Sequence, residues 1–330
     1  MPVPRYHPEN SVVLIGTSSG HRDIGLKLRL DMPKPEEAEA AATQCTKLLT
    51  RLHDAHNEPA DGIFIVLYRD PEVGQHRAQV VVETTSLAKQ FMQAAREAGL
   101  HQKEVLLVSG GLWSSYVCTN ADCCPPDATP VRSSHNPGPI STAYTLAGKA
   151  PFASFDAIQA MLRPDDTLNS DAMRRSLATA EAEPIAASES HRLLLDRLSF
   201  DEMPNTEQTA QLLIALRDRE FRDLASAYSE ESERPAAAGL WRHLAVNCVT
   251  PYQELAAAPL TLLAWNTWLL GDTVVARAAL AEVLNIDPEY TLAGLLRSAF
   301  MAPGHIEPLQ EFLRKLRAEF QSGSSELPER

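Results

Sequence analysis

Three of the five cysteines fall within seven residues, at Cys118, Cys123 and Cys124. Thiolates are soft ligands, nucleophiles and redox carriers, so a C-x4-C-C spacing admits several chemistries. With His135, the three thiolates would supply the four N/S ligands of a tetrahedral zinc. A Cys118–Cys123 disulfide would close a small loop, against the expectation for a reducing compartment. Alternatively the thiols pack as small apolar groups, with Pro125 and Pro126 stiffening the exit. The usual C-x2-C knuckle is absent, and adjacent cysteines are expected to point apart. The structural reading is therefore preferred over metal and redox ones. A nucleophilic cysteine would need a lowered pKa, with His135 or a helix start at Ser141 as candidate causes.

Trp113 and Tyr116, just before the cysteines, and Asp70, at the end of an apolar run, complete the candidate functional loop. Gly16-Thr17-Ser18-Ser19-Gly20 matches the G-x-S-x-G nucleophile elbow, but that motif needs a strand turning into a helix. Here a second strand follows, which makes the segment a hairpin turn. His53 and His56 lie three apart at a helix end, where histidines ordinarily complement the dipole. Ser109-Gly110-Gly111 reads as a turn between strands. The glycine-rich fingerprints of dinucleotide and P-loop sites are missing, so no cofactor is expected beyond zinc.

These residues need elements to hold them. Ser11–Ile15 and the alternating Ile24–Leu30 read as a hairpin. A helix opened by Pro35 extends to about Ala55. The uninterrupted apolar run Ile63–Leu67 reads as a central strand. A helix covers Thr84–Ala98, with a start as early as His76, and Gly99 stops it. Glu104–Val108 and Leu112–Cys118 follow as strands. The order β-β-α-β-α-β-β specifies a mixed sheet with helices packed on it. Residues 1–140 form this α/β domain, and Thr119–Pro139 is its punctuated exit loop.

From residue 141 to 330 the pattern is helical. Helices are expected over Ser141–Gly148, Ser154–Arg163, Asp171–Glu183, His191–Leu198 and Thr206–Tyr228. Glu230–Pro235 reads as an acidic solvated break. Ala264, Gly271, Ala276 and Pro288 match the small-residue, glycine, alanine and proline positions of a tetratricopeptide-like helix pair over about 257–290. Trp241, Trp265 and Trp268 are expected in its core, and residues 321–330 are expected to fray.

The formal charge is −13, from 30 basic and 43 acidic residues. Such a surface repels phosphate backbones and anionic membranes, so neither nucleic acid nor membrane is an expected partner. With no apolar signal core at the N-terminus, the expected compartment is the cytoplasm.

Several segments together resemble an actinobacterial family of uncharacterised proteins, the domain of unknown function number 4192. They are Tyr6-His-Pro-Glu-Asn-Ser-Val-Val-Leu-Ile-Gly16, Trp113-Ser-Ser-Tyr-Val-Cys118 with Cys123-Cys-Pro-Pro126, and Leu240-Trp-Arg-His-Leu244. Ala258-Pro-Leu-Thr-Leu-Leu-Ala-Trp265, Gly271-Asp272 and Asp287-Pro-Glu-Tyr290 continue the match. Members of that family carry an apolar helix before the first strand, and the stretch before Ser11 departs from this. The resemblance brings no activity. From the residues, the favoured function is a protein- or peptide-binding scaffold; the alternative is a metal- or thiol-dependent enzyme using the cysteine loop.

Overall fold

The computed structural model describes residues 8–18, 24–51, 59–125, 127–131, 152, 154–164, 170–199, 203–301 and 306–324. The chain divides into two compact units between Ser154 and Phe155.

The first unit is a mixed six-stranded sheet with helices. Its strands are β1 (Ser11–Thr17), β2 (Ile24–Asp31), β3 (Gly62–Tyr68), β4 (His101–Ser109), β5 (Leu112–Ser115) and β6 (Thr129–Pro130), and its helices α1 (Ala38–Arg51) and α2 (Arg77–Glu97). The strand order is β2-β1-β3-β4-β5-β6. Only β3 and β4 run parallel, and they are joined through α2. Parallel neighbours need such a crossover, whereas antiparallel ones take tight turns. The apolar run of β3 is central, as its composition requires: Ile63, Ile65 and Leu67 are fully buried.

One face of the sheet carries Val12, Leu14, Ile63, Ile65, Leu67, Val105 and Leu107. It packs on Ala38, Ala42 and Leu49 of α1 and Leu87, Phe91 and Ala95 of α2. Strand alternation and the helical period thus converge on one core. The β4–β5 connection is the two-residue Gly110-Gly111, with φ of +59° and +73°. Both positions lie in the left-handed region that a type I′ hairpin turn demands, which is why glycines occupy them. β5 ends at Ser115, three residues before the strand expected from sequence, because the chain turns towards the cysteines.

The second unit is helical: α3 (Phe155–Ala160), α4 (Ser170–Ala182), α5 (Ala187–Ser199), α6 (Thr206–Ala215), α7 (Arg219–Ser226) and α8 (Arg234–Val246). A 3-10 turn (Gln253–Ala256) leads into α9 (Ala257–Leu269), followed by α10 (Thr273–Ile286), α11 (Thr291–Met301) and α12 (Ile306–Ser324). Helix α9 is the hub, buried at every position from Ala257 to Thr267 and packed against α8 and α10. Ala264, Ala276, Ala278 and Ala279 are wholly buried, and their small side chains let helices approach closely. Trp241 and Trp265 lie in this core, while Trp268 is half-buried and stacks on Phe300 with ring centroids 4.0 Å apart.

Two helical expectations are corrected. Thr206–Tyr228 is two helices rather than one. The Asp218 carboxylate accepts from the Phe221 amide at 2.8 Å and starts α7 anew. Apolar spacing continues across the break, and an N-cap decides it. Glu230–Pro235 is not a merely solvated acidic break. Glu230 pairs with Arg314, and Glu233 with Arg317, of α12. Ser141–Gly148 lies outside the described residues.

Candidate functional site: a three-thiol loop at the end of the sheet

The site is built where β5 leaves the sheet. The Tyr116 amide still donates to the Val105 carbonyl of β4 at 2.8 Å. The Ser115 hydroxyl then takes over, accepting from the Val117 and Cys118 amides at 3.1 and 2.8 Å. This turn fixes Cys118.

Asn120 forms the second turn. Its side-chain oxygen accepts from the Asp122 amide at 2.9 Å, the geometry of an Asx turn. Its carbonyl accepts from both the Cys123 and the Cys124 amides, at 3.1 and 2.7 Å. The chain therefore folds back so that Cys123 and Cys124 approach Cys118.

The three sulfurs all lie within 4.8 Å of one another. The Cys124 thiol donates to the Cys123 sulfur at 3.9 Å. The expectation that adjacent cysteines point apart is thus corrected: alternation governs an extended strand, whereas this segment is a turn closed on one carbonyl. The apolar-packing reading is corrected too, since Cys123 is exposed and Cys118 and Cys124 are partly so. All five cysteines are free thiols.

The backbone of Asn120, with help from the Cys124 thiol, lowers the pKa of Cys118. Hydrogen bonding to Cys118, followed by desolvation, pushes Cys124 up to about 12. The other two cysteines are of a different kind. Burial raises the thiols of Cys45 and Cys248, and Cys248 donates to the Leu244 carbonyl at 3.4 Å.

The remaining sequence candidates separate. His135, the expected fourth zinc ligand, lies outside the described residues, as do His53 and His56. Asp70 is exposed, and its carboxylate accepts from the Gly110 amide at 2.6 Å, which secures the β4–β5 turn. Tyr116 shares a 2.6 Å hydrogen bond with Thr84 of α2, and burial raises its pKa. Trp113 sits in β5 opposite Val108 and Thr129. Sequence reasoning missed Glu104, Ser115 and Asn120. Asn120-Ala-Asp carried a turn signal in its composition; Glu104 and Ser115 carried none, since they meet only across two strands.

A family model described as "Domain of unknown function (DUF4192)" matches residues 5–303. The chain belongs to this family. The match runs through both compact units and includes the three-thiol loop. No curated protein and no solved structure matches the chain. Among the described residues no helix is long and apolar enough to cross a membrane.

Proposed function

We propose that this member of the family is a metal-binding protein that holds zinc on the thiolates of Cys118, Cys123 and Cys124. The convergence of the three sulfurs within 4.8 Å carries the reading. A tetrahedral zinc with Zn–S bonds of about 2.3 Å sets its sulfurs about 3.8 Å apart. Cys123 and Cys124 already stand at 3.9 Å, and Cys118 lies within 4.8 Å of both. Soft thiolates favour zinc over the hard oxygen-seeking cations.

Three thiolates leave a fourth position, for which His135 is the candidate from sequence and water the alternative. With that position filled, the centre would tie down the chain that follows β5, where the two-residue β6 provides little hold of its own. Open, the ion would be a Lewis acid beside the sheet end. The thiols must be reduced, which fits a cytoplasmic location. Full-length protein purified without chelator should carry one zinc per chain by elemental analysis, and Cys124→Ser should lower that content. Metal-free wild type that takes up no added zinc would contradict the reading.

A second reading concerns the helical unit as a protein- or peptide-binding scaffold. It draws on the α9–α10 pair, with its tetratricopeptide-like small residues, and on Leu295 and Phe312, exposed by 62% and 61% on successive helices. Contiguous apolar patches, rather than single side chains, mark contact surfaces, so the two are tested together. Replacing both by aspartate should remove partners captured by the wild type, and unchanged capture would dismiss this role.

A further inference from the structure

We infer that Ser115 and Glu104 are positioning residues for the thiolate centre, an inference that rests on the metal reading above. Every hydrogen-bonding capacity of the Ser115 hydroxyl is in use. It accepts from the Val117 amide at 3.1 Å and the Cys118 amide at 2.8 Å, and it donates to Glu104 Oε1 at 2.6 Å. A hydroxyl has one donor and two acceptor sites, so this set fixes its orientation completely. Glu104 is fixed in turn, because the same carboxylate oxygen accepts from the Val105 amide at 2.9 Å.

The two residues meet across the sheet. Ser115 of β5 stands opposite Leu106 of β4, which makes Glu104 its diagonal neighbour on the same face. A side-chain chain therefore runs from the backbone of β4 through Glu104 and Ser115 to the amide of Cys118. This amide lies three residues beyond the end of β5, past the Tyr116–Val105 bond that still holds the backbone to β4. Without the hydroxyl, the Val117 and Cys118 amides would turn to water and the Cys118 sulfur would lose its fixed approach to Cys123 and Cys124. Neither side chain is a ligand; both act through Cys118. Partners that orient ligands in this way typically contribute 10- to 100-fold in metal affinity.

The experiment measures zinc affinity of the full-length chain by competition with a chromophoric chelator, together with the cobalt(II) spectrum of each variant. Wild type, Ser115→Ala, Ser115→Thr, Glu104→Ala and Glu104→Gln are compared. Ser115→Ala and Glu104→Ala should weaken zinc about 10- to 100-fold and shift the cobalt ligand-field bands. Ser115→Thr restores the hydroxyl and should return affinity and spectrum towards wild type. Glu104→Gln keeps the acceptor oxygen and should lose less than Glu104→Ala. If alanine variants bind zinc within about twofold of wild type with an unchanged cobalt spectrum, the positioning role is wrong and the zinc centre stands. Equal losses in Ser115→Thr and Ser115→Ala would also overturn it. Wild type that binds neither zinc nor cobalt removes the metal reading and this inference with it.

Discussion

At the scale of single residues, the five cysteines divide by environment. Cys248 is buried against the Leu244 carbonyl and Cys45 is half-buried in α1, and burial raises both thiols. Cys118, Cys123 and Cys124 share an accessible loop. Thiolates react and thiols do not, so accessibility and ionisation together set the order of modification. Native protein stripped of metal and treated with iodoacetamide should be alkylated in the loop first, with Cys248 modified only after unfolding. Added zinc should protect the loop. Peptide mapping after brief labelling checks this, and early labelling of Cys248 would contradict the assignment. The residue types of the loop were legible in the sequence, but their convergence was not. It depends on the Asn120 carbonyl accepting two successive amides and on the Glu104–Ser115 contact across strands.

At the scale of elements, helix α12 shows what pattern reading leaves out. Its amphipathic period marks a helix, but its ion-pair partners are 84 residues away in sequence. Arg314 forms a forked pair with Glu230, and Arg317 pairs with Glu233 while its guanidinium lies 4.2 Å from the centre of the Tyr228 ring. Arg317 and Glu233 are about three-quarters buried, so their contact is screened less than an exposed pair. Arg317→Ala should destabilise the helical unit by about 1–2 kcal/mol and raise amide exchange across α12. Exchange mass spectrometry reads both changes. The apolar core gives a larger effect. Phe91 is fully buried between α2 and the sheet, and Phe91→Ala should cost about 3–5 kcal/mol in urea unfolding.

The same unit has a pH response with a defined sign. Burial lowers the pKa of His191, with Arg317 adding to the shift, and burial likewise lowers that of His243. His191 is hydrogen-bonded to the Tyr228 hydroxyl at 2.7 Å and His243 to Thr209 at 3.2 Å. A free imidazole titrates near pH 6.5, so around pH 6 the unfolded chain binds more protons than the folded one. The stabilisation is present above that value and is lost as pH falls through it towards the folded values. Thermal midpoints should therefore drop between pH 7.5 and 5.5. A His191→Gln/His243→Gln variant should show a smaller drop, and an equal one would contradict the assignment.

At the scale of the whole molecule, the division into a mixed-sheet unit and a helical unit was readable from hydrophobic period alone. β3 declared itself central by an unbroken apolar run. What escaped was non-local or decided by one cap: the Asp218 break between α6 and α7, the short β6, and the partners of the acidic segment at Glu230–Glu233. The family match covers both units, which makes the two-unit chain the object to test. The decisive property of the chain is whether the Cys118, Cys123 and Cys124 sulfurs hold an ion. Elemental analysis of the full-length chain purified without chelator measures this directly. The expected result is one zinc per chain, with the three loop thiols protected from alkylation until the metal is removed. A chain without zinc, taking up none when it is supplied and with its loop thiols equally reactive in either condition, would contradict it.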